Sequence, residues 1–179
     1  MSSHPRLATT RLVKVPGERR WTAVPAYARR KCTPDEIAEL FHQAHHEMAR
    51  SADPAADLAT RYRAASGASL GLATVVLRAS GYETVPPLDP KSTFDALPDV
   101  FGPEGREAAA VFLSCHRKSR RRTLTSRRDA LERALRELSS EVDRFRKSVL
   151  EWLEATRRNL LPARPASNDG VEPHQKTLF

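Results

Sequence analysis

The feature that most constrains the fold is an apolar stripe in the last third of the sequence. Large apolar side chains recur at alternating spacings of four and three residues between positions 131 and 152. They are Leu131, Leu135, Leu138, Val142, Phe145, Val149 and Trp152. This spacing places them on one face of a long helix, and such a face must be covered by other apolar surfaces. The sequence therefore predicts a long helix that packs against several partners.

Upstream amphipathic segments supply those partners. The first predicted helix has Thr33 as its N-cap, Pro34 at its first position and Glu36 three residues after the cap. The second extends from about Asp57 to Ser80 and stops at Gly81, a residue typical of helix C-termini. Both segments carry apolar residues at helical spacing, so each is expected to bury one face.

A proline-rich stretch, residues 83–105, follows the second helix. We expect it to be a loop with a single short helical turn around residues 94–97, because its prolines interrupt regular structure. Pro103 can then open a third helix. The inward side chains of that helix are expected to be Val111, Phe112 and Cys115. Together these segments predict an all-α protein built as a four-helix bundle.

The two ends of the sequence differ in composition from this helical domain, which we place at residues 32–161. Residues 1–31 form a basic N-terminal arm, in which Pro16, Gly17 and Pro25 interrupt any helix. Trp21 and Tyr27 have two open roles there, to pin the arm onto the domain or to stack on bases. Residues 162–179 are predicted to be a flexible C-terminal tail, because they are rich in small and polar residues and proline.

Composition limits the classes of function. The net charge of +8 favours nucleic acid or an acidic protein as a partner, without choosing between them. No apolar run predicts a membrane span or a secretory signal, so we expect a cytoplasmic protein that makes no membrane contact and keeps Cys32 and Cys115 as thiols. His42 and His46 lie one helical turn apart, but no third ligand is evident, and we expect neither a metal nor a cofactor.

A dense basic run lies between the third and fourth predicted helices. Its members are Arg117, Lys118, Arg120, Arg121, Arg122, Arg127 and Arg128. These charges repel one another unless an anion is nearby, and a phosphate there would meet the N-terminus of the last helix, for which Ser126 is a natural cap. The run is therefore a candidate nucleic-acid-binding site that contacts the phosphate backbone without reading sequence. The alternative is a solvated charged turn.

The same region carries a resemblance. A helix that contains Arg61 and Tyr62 ends in the Ala-Ser-Gly-Tyr sequence of residues 79–82, and it is followed by the proline-rich loop, the arginine run and the final helix. In these features, roughly residues 33–154 resemble the HEPN superfamily of small helical-bundle proteins. The resemblance implies a HEPN-like bundle and a context of toxin–antitoxin or defence systems. In ribonuclease members an Arg, a following polar residue such as Asn, and a His or Tyr about five positions after the Arg meet at a dimer interface and cleave RNA without a metal.

This chain departs from that catalytic pattern. The ungapped register places Arg120 at the arginine position, Arg121 where Asn is expected and Thr125 where His or Tyr is expected. A shift by one residue gives Arg121, Arg122 and Ser126. Neither register supplies a group that titrates near neutral pH, as general acid–base catalysis requires. Arg120, Arg121 and Thr125 are the candidate catalytic residues, and the motif is degenerate.

The last five residues, Gln-Lys-Thr-Leu-Phe, resemble the short peptide by which bacterial replication and repair proteins bind the DNA polymerase sliding clamp. That peptide has Gln, two loosely specified residues, Leu and Phe. Leu178 and Phe179 would fill an apolar pocket, and the Gln175 amide would form hydrogen bonds at its rim. The alternative is that Leu178 and Phe179 fold back onto the helical domain.

These observations predict a protein that binds the bacterial sliding clamp through Gln175, Leu178 and Phe179. It would act either as a toxin-like inhibitor of replication or as a factor recruited to replication and repair. The alternative is an RNA-cleaving HEPN toxin, and a weaker reading is a nucleic-acid-binding module formed by the arm and the arginine run. A homodimer and an antitoxin or other regulatory protein are further partners that the resemblance makes reasonable.

Overall fold

The computed structural model describes residues 10–14, 21–85, 90–120 and 128–161, with the backbone alone for residues 10–14, 21–25 and 118–120. Within these ranges the chain is mostly helical, as the all-α prediction requires. The four helices are α1 (Pro34–Ala52), α2 (Leu58–Ala79), α3 (Pro90–Arg120) and α4 (Arg128–Thr156), followed by a short 3-10 turn, Arg158–Leu160. None of the helices in the described part of the chain combines the length and apolarity needed to cross a bilayer.

The central helix is α2, which contacts α1, α3 and α4. It begins at the predicted place, because the Asp57 side chain accepts a hydrogen bond from the backbone N–H of Thr60 at 2.9 Å. It ends at the predicted place as well, because Gly81 has φ = 85° and follows the C-cap Ser80. Leu72 and Val76 are fully buried, and alanines fill much of the remaining surface, so neighbouring helices approach closely on several sides.

The predicted start of α1 is confirmed. Thr33 is the N-cap, and its side chain accepts a hydrogen bond from the backbone N–H of Glu36 at 3.2 Å. The carboxylate of Glu36, however, forms ion pairs with Arg78 of α2 and Arg30 of the preceding segment. Glu36 therefore also ties α1 to the rest of the domain.

The prediction of a loop over residues 83–105 was wrong from Pro90 onward, because α3 starts there and continues, with one break, to Arg120. The break is at Gly102, with φ = 74° and ψ = −145°, and Pro103 opens the second arm of α3 as predicted. The rings of Phe94 and Phe112 have centroids 5.4 Å apart. In a straight helix these residues would lie about 27 Å apart, so the two arms of α3 fold back on each other.

The apolar stripe of α4 is confirmed, and it meets partners along its length. Six of its seven predicted residues are buried, whereas Trp152 is half-buried. Phe145 contacts both Phe101 and Phe112 edge-on at centroid distances of 5.4 Å. Both arms of α3 therefore cover this face of α4. Because the two arms of α3 pack as separate helices, the described bundle has five helical segments rather than the predicted four. Leu160, beyond the end of α4, is also buried.

Residues of the predicted N-terminal arm include strands that the sequence analysis did not predict. Strand β1 (Thr10–Lys14) pairs antiparallel with β2 (Trp21–Pro25), and β3 (Tyr27–Arg29) pairs antiparallel with β4 (Tyr82–Thr84) just after α2. Tyr27 is buried and its hydroxyl donates a hydrogen bond to the Ser92 carbonyl at 2.6 Å. Of the two roles considered for Tyr27, the structure therefore favours pinning the arm to the domain.

Candidate functional site

The basic run lies at the junction of α3 and α4, and the structure describes its two ends. Arg117 is exposed near the end of α3, and Arg128 is exposed at the start of α4, where its Nε donates to Glu132 Oε1 at 3.1 Å. Lys118 and Arg120 lie in the last turn of α3, with only their backbone described. The remaining members of the run and its candidate catalytic residue lie outside the described residues: Arg121, Arg122, Thr125 and Arg127.

The junction is one of two strongly basic stretches of the sequence. Residues 117–136 have nine basic and two acidic residues, a net charge of +7, and residues 1–31 have eight basic and one acidic residue, also a net charge of +7. The described ends of the first stretch lie at the end of α3 and in the first turns of α4. A concentrated positive surface of this kind attracts polyanions and orients them during encounter.

A cavity of about 180 Å³ lies beside this junction, between α2, α3 and α4. The half-buried imidazole of His116 lines it, next in sequence to Arg117. The hydroxyls of Ser66 and Ser69 also line it, and each donates its proton to a carbonyl of its own helix, at 3.0 and 2.8 Å. Each hydroxyl can still accept a hydrogen bond. The rest of the lining is largely apolar, with Phe94, Phe112 and Leu138.

A second depression, of about 520 Å³, is the surface groove between α1 and α2. Its α1 side includes His42, His46 and Glu47, and its floor includes Gly67 and Gly71 of α2. Both histidines are exposed, as expected for a solvated helix face. Among the described residues, no group of three or more His, Cys, Asp or Glu side chains is placed to hold a metal ion.

An ion network lies where the start of α1 meets the end of α2. Arg78, which is 4% exposed, pairs with Glu36 and places its Nη1 3.3 Å from Glu83 Oε2. Arg30 Nη1 approaches the same Glu83 oxygen at 2.8 Å. Burial raises the pKa of Glu36, but the hydrogen bonds and the charge of Arg78 outweigh burial, so the net pKa is lowered. With two cations and two carboxylates the network is neutral, and it ties β3 and β4 to both helices.

Cys32 lies close to this network and Cys115 is in the core; both are free thiols, as expected. Burial is the main cause of the raised pKa of Cys32, with a further contribution from the charge of Glu36. A thiol with a raised pKa is a weak nucleophile near neutral pH. The arrangement is therefore typical of a structural cysteine.

The residues of the predicted clamp-binding peptide, Gln175, Leu178 and Phe179, lie outside the described residues. No protein-family model, curated protein or solved structure matches this chain.

Three features of the site region were missed by the sequence analysis. The ion network joins Glu36 and Arg78, which are 42 positions apart, so no local sequence pattern predicts it. The α1–α2 groove had a signal in the spacing of Gly67 and Gly71, one helical turn apart on α2. The cavity beside His116 had no such sequence signal, because its lining residues come from three helices.

Proposed function

We propose that this protein binds the DNA polymerase sliding clamp of bacteria through Gln175, Leu178 and Phe179. The observation that carries the proposal is the Gln-Lys-Thr-Leu-Phe sequence itself, which supplies each of the fixed residues of the clamp-binding peptide. Leu178 and Phe179 act as apolar anchors in a pocket of the clamp. The Gln175 amide adds hydrogen bonds whose geometry makes the interaction specific.

The distance in sequence between the described domain and the peptide is compatible with binding of the peptide to a clamp. Its core includes residues up to Leu160, which is 7% exposed, and the next described residue, Leu161, packs against that core. The peptide begins fourteen positions after Leu161. A coil of this length reaches roughly 20 Å, which lets the domain lie beside the clamp while the peptide occupies its pocket.

The basic junction gives the domain a second contact in that location. DNA passes through a sliding clamp, so a domain held beside the clamp is close to a duplex. The positive surface that includes Arg117 and Arg128 would lie along its phosphates without reading sequence. Clamp peptide and basic junction thus act on the same assembly.

Two outcomes follow from clamp binding. A bound peptide excludes other proteins that use the same pocket, which blocks replication as a toxin would. The same contact recruits the domain to DNA under repair or replication. Both outcomes stay open, and the HEPN resemblance makes a toxin–antitoxin or defence context reasonable.

The test is a pull-down with purified clamp. Wild-type protein should be retained, and the Leu178→Ala, Phe179→Ala double variant should be lost from the complex. Val171→Ala is the matched control, because it removes apolar surface from the same segment without touching the motif. Equal retention of wild type and double variant would contradict the proposal.

RNA cleavage is the second candidate function, and one observation favours it. The cavity beside the basic junction is lined by the His116 imidazole, a group that the degenerate arginine motif lacks. The expected result is RNA fragmentation that disappears in Arg120→Ala, Arg121→Ala and in His116→Asn protein, while Val171→Ala retains it. Intact RNA after prolonged incubation with wild-type protein, beside an active HEPN nuclease as control, would exclude this function.

A further inference from the structure

The surface groove between α1 and α2 has a shape that suits a short apolar peptide. Its floor comes from α2, whose positions Gly67, Leu70, Gly71 and Thr74 recur at helical spacing and are half-buried, while most of the rest of α2 is buried. The α1 side combines the apolar Leu40 and Ala44 with the polar side chains of His42, Gln43, His46 and Glu47. The volume of about 520 Å³ lies within the roughly 300–1,000 Å³ typical of ligand pockets.

The depth of the groove is set by glycine. A methyl group added at Gly71 would lie 3.1 Å from the Ala44 Cβ, so the two helices are nearly in contact beneath the groove. A methyl group at Gly67 would meet only the Glu47 side chain, at an ordinary 3.4 Å. The groove is therefore shallow, and it suits one or two side chains of an extended segment better than the face of a whole helix.

The chain leaves the described domain near one end of this groove. The 3-10 turn Arg158–Leu160 contacts α1, and Arg157 Nε donates to the Ala79 carbonyl at the end of α2 at 3.2 Å. That end of the pair is where Glu36 meets Arg78. Ala44, at the centre of the groove, is eight residues along α1 from Glu36, or about 12 Å.

The segment that follows has the length and the side chains to fill the groove. Thirteen residues separate Leu161 from Gln175, and a coil of that length spans roughly 20 Å, compared with about 12 Å along α1 from Glu36 to Ala44. Beyond Leu161 the large apolar residues of the sequence are Val171, Leu178 and Phe179. A tethered peptide of this kind has an effective concentration in the millimolar range, so weak contacts suffice to hold it.

We propose that Leu178 and Phe179 occupy the α1–α2 groove of their own chain when no clamp is bound. The groove and the clamp then compete for the same two side chains. The regulatory meaning rests on the proposed clamp-binding function, whereas the intramolecular contact itself does not. A clamp must displace the peptide from the groove, so its apparent affinity is reduced by the fraction of molecules in the closed state.

The contact is tested with the full-length chain by NMR of the Ala44 and Leu70 methyl groups. The Leu178→Ser, Phe179→Ser double variant should shift both signals, and the matched control Val171→Ser should leave them unchanged. The wild-type signals should also be independent of protein concentration. Identical spectra for wild type and double variant would overturn the proposal. Signals that change on dilution would overturn it too, because a second copy would then be the occupant.

Clamp affinity provides the second measurement. Gly67→Gln places a side chain in the groove at a position where a Cβ has room, and Arg63→Gln is the control on the exposed surface of the same helix. The groove variant should bind clamp roughly tenfold more tightly than wild type, and the control should not. If neither wild type nor Gly67→Gln binds clamp while the methyl shifts occur, the clamp function fails and the intramolecular contact stands. If both bind clamp equally, regulation by the groove is refuted.

Discussion

Arg78 shows how a single residue joins three elements, α1, α2 and β4. A buried guanidinium destabilises a fold unless its donors are satisfied, and here Glu36 of α1 and Glu83 of β4 both accept from it. Arg30, beside β3, pairs with the same two carboxylates. The paired strands that lead into the bundle are thus held by charge as well as by backbone hydrogen bonds.

Replacing Arg78 with Met should lower the free energy of unfolding by about 2 kcal/mol at pH 7, because Glu36 and Glu83 lose a charged donor while both remain partly exposed to water. The pKa of Glu36 is lowered in the folded state, so its contribution is present above the unfolded pKa near 4.5 and is lost as pH falls through the folded-state pKa. The difference between variant and wild type should therefore shrink in acid. Urea unfolding at neutral and acidic pH measures it.

Arg50→Met is the control for this prediction. Arg50 forms an exposed i,i+3 pair with Glu47 on α1, so its removal should cost at most about 0.5 kcal/mol. A difference for Arg78→Met that stays constant from neutral pH into acid would show that packing, rather than the ion network, accounts for the loss.

At the scale of elements, the turn inside α3 decides the architecture. Gly102 has φ = 74° and ψ = −145°, a combination that is almost confined to glycine. Because the chain reverses there, Phe101 from the first arm and Phe112 from the second both reach Phe145 on α4. The reversal therefore determines how the face of α4 is covered.

Gly102→Ala should destabilise the protein by about 1–3 kcal/mol, through backbone strain alone. No atom outside the chain neighbours lies within 4 Å of the added methyl group, so a steric clash does not contribute. Gly67→Ala is the matched control, since it lies within α2 with ordinary contacts, and it should be neutral or stabilise by roughly 0.5–1 kcal/mol. Thermal unfolding of both variants tests the pair; equal losses would argue against strain at Gly102.

The helices with clear caps and stripes were predictable from sequence. Thr33, Asp57 and Gly81 mark ends that the structure confirms, because capping acts over a few residues and is visible in a local pattern. The first arm of α3 was missed because Pro90 and Pro98 were read as helix breakers. Pro90 is the first residue of α3, where proline is favoured. Inside the arm, burial of one face, with Phe94, Leu97 and Phe101 at spacings of three and four, outweighs the cost of Pro98.

The strands and the candidate groove were less accessible to sequence reasoning. Strand β3 is three residues long and pairs with β4, more than fifty positions away, so neither carries a strong local signal. The groove depends on Gly71 meeting Ala44 and on Gly67 facing Glu47 across two helices, which only the packing reveals. The clamp-binding peptide, by contrast, is visible in five consecutive residues of the sequence. It stays a prediction, because those residues lie outside the described ones.

For the whole molecule, the decisive property is the uneven distribution of charge. Residues 117–136, which span the end of α3 and the start of α4, carry a net charge of +7, and residues 1–31 carry +7 as well. Elsewhere several cations are neutralised locally; Arg144, for example, donates to both Glu141 and Glu107, and these hydrogen bonds raise its pKa. The junction is therefore a candidate contact for a polyanion, together with the basic residues 1–31.

For duplex DNA binding by the full-length protein, the logarithm of the binding constant K should fall linearly with the logarithm of the salt concentration, because phosphate contacts release counterions. Arg117→Gln with Arg128→Gln removes two exposed junction charges, and it should reduce the slope of log K against log salt by about two. Lys147→Gln with Arg158→Gln is the control, since it removes the same charge from exposed positions elsewhere on the domain. Fluorescence anisotropy over a salt series measures both slopes. If the two double variants lower the slope equally, binding responds to net charge alone, and the junction has no special role in holding DNA.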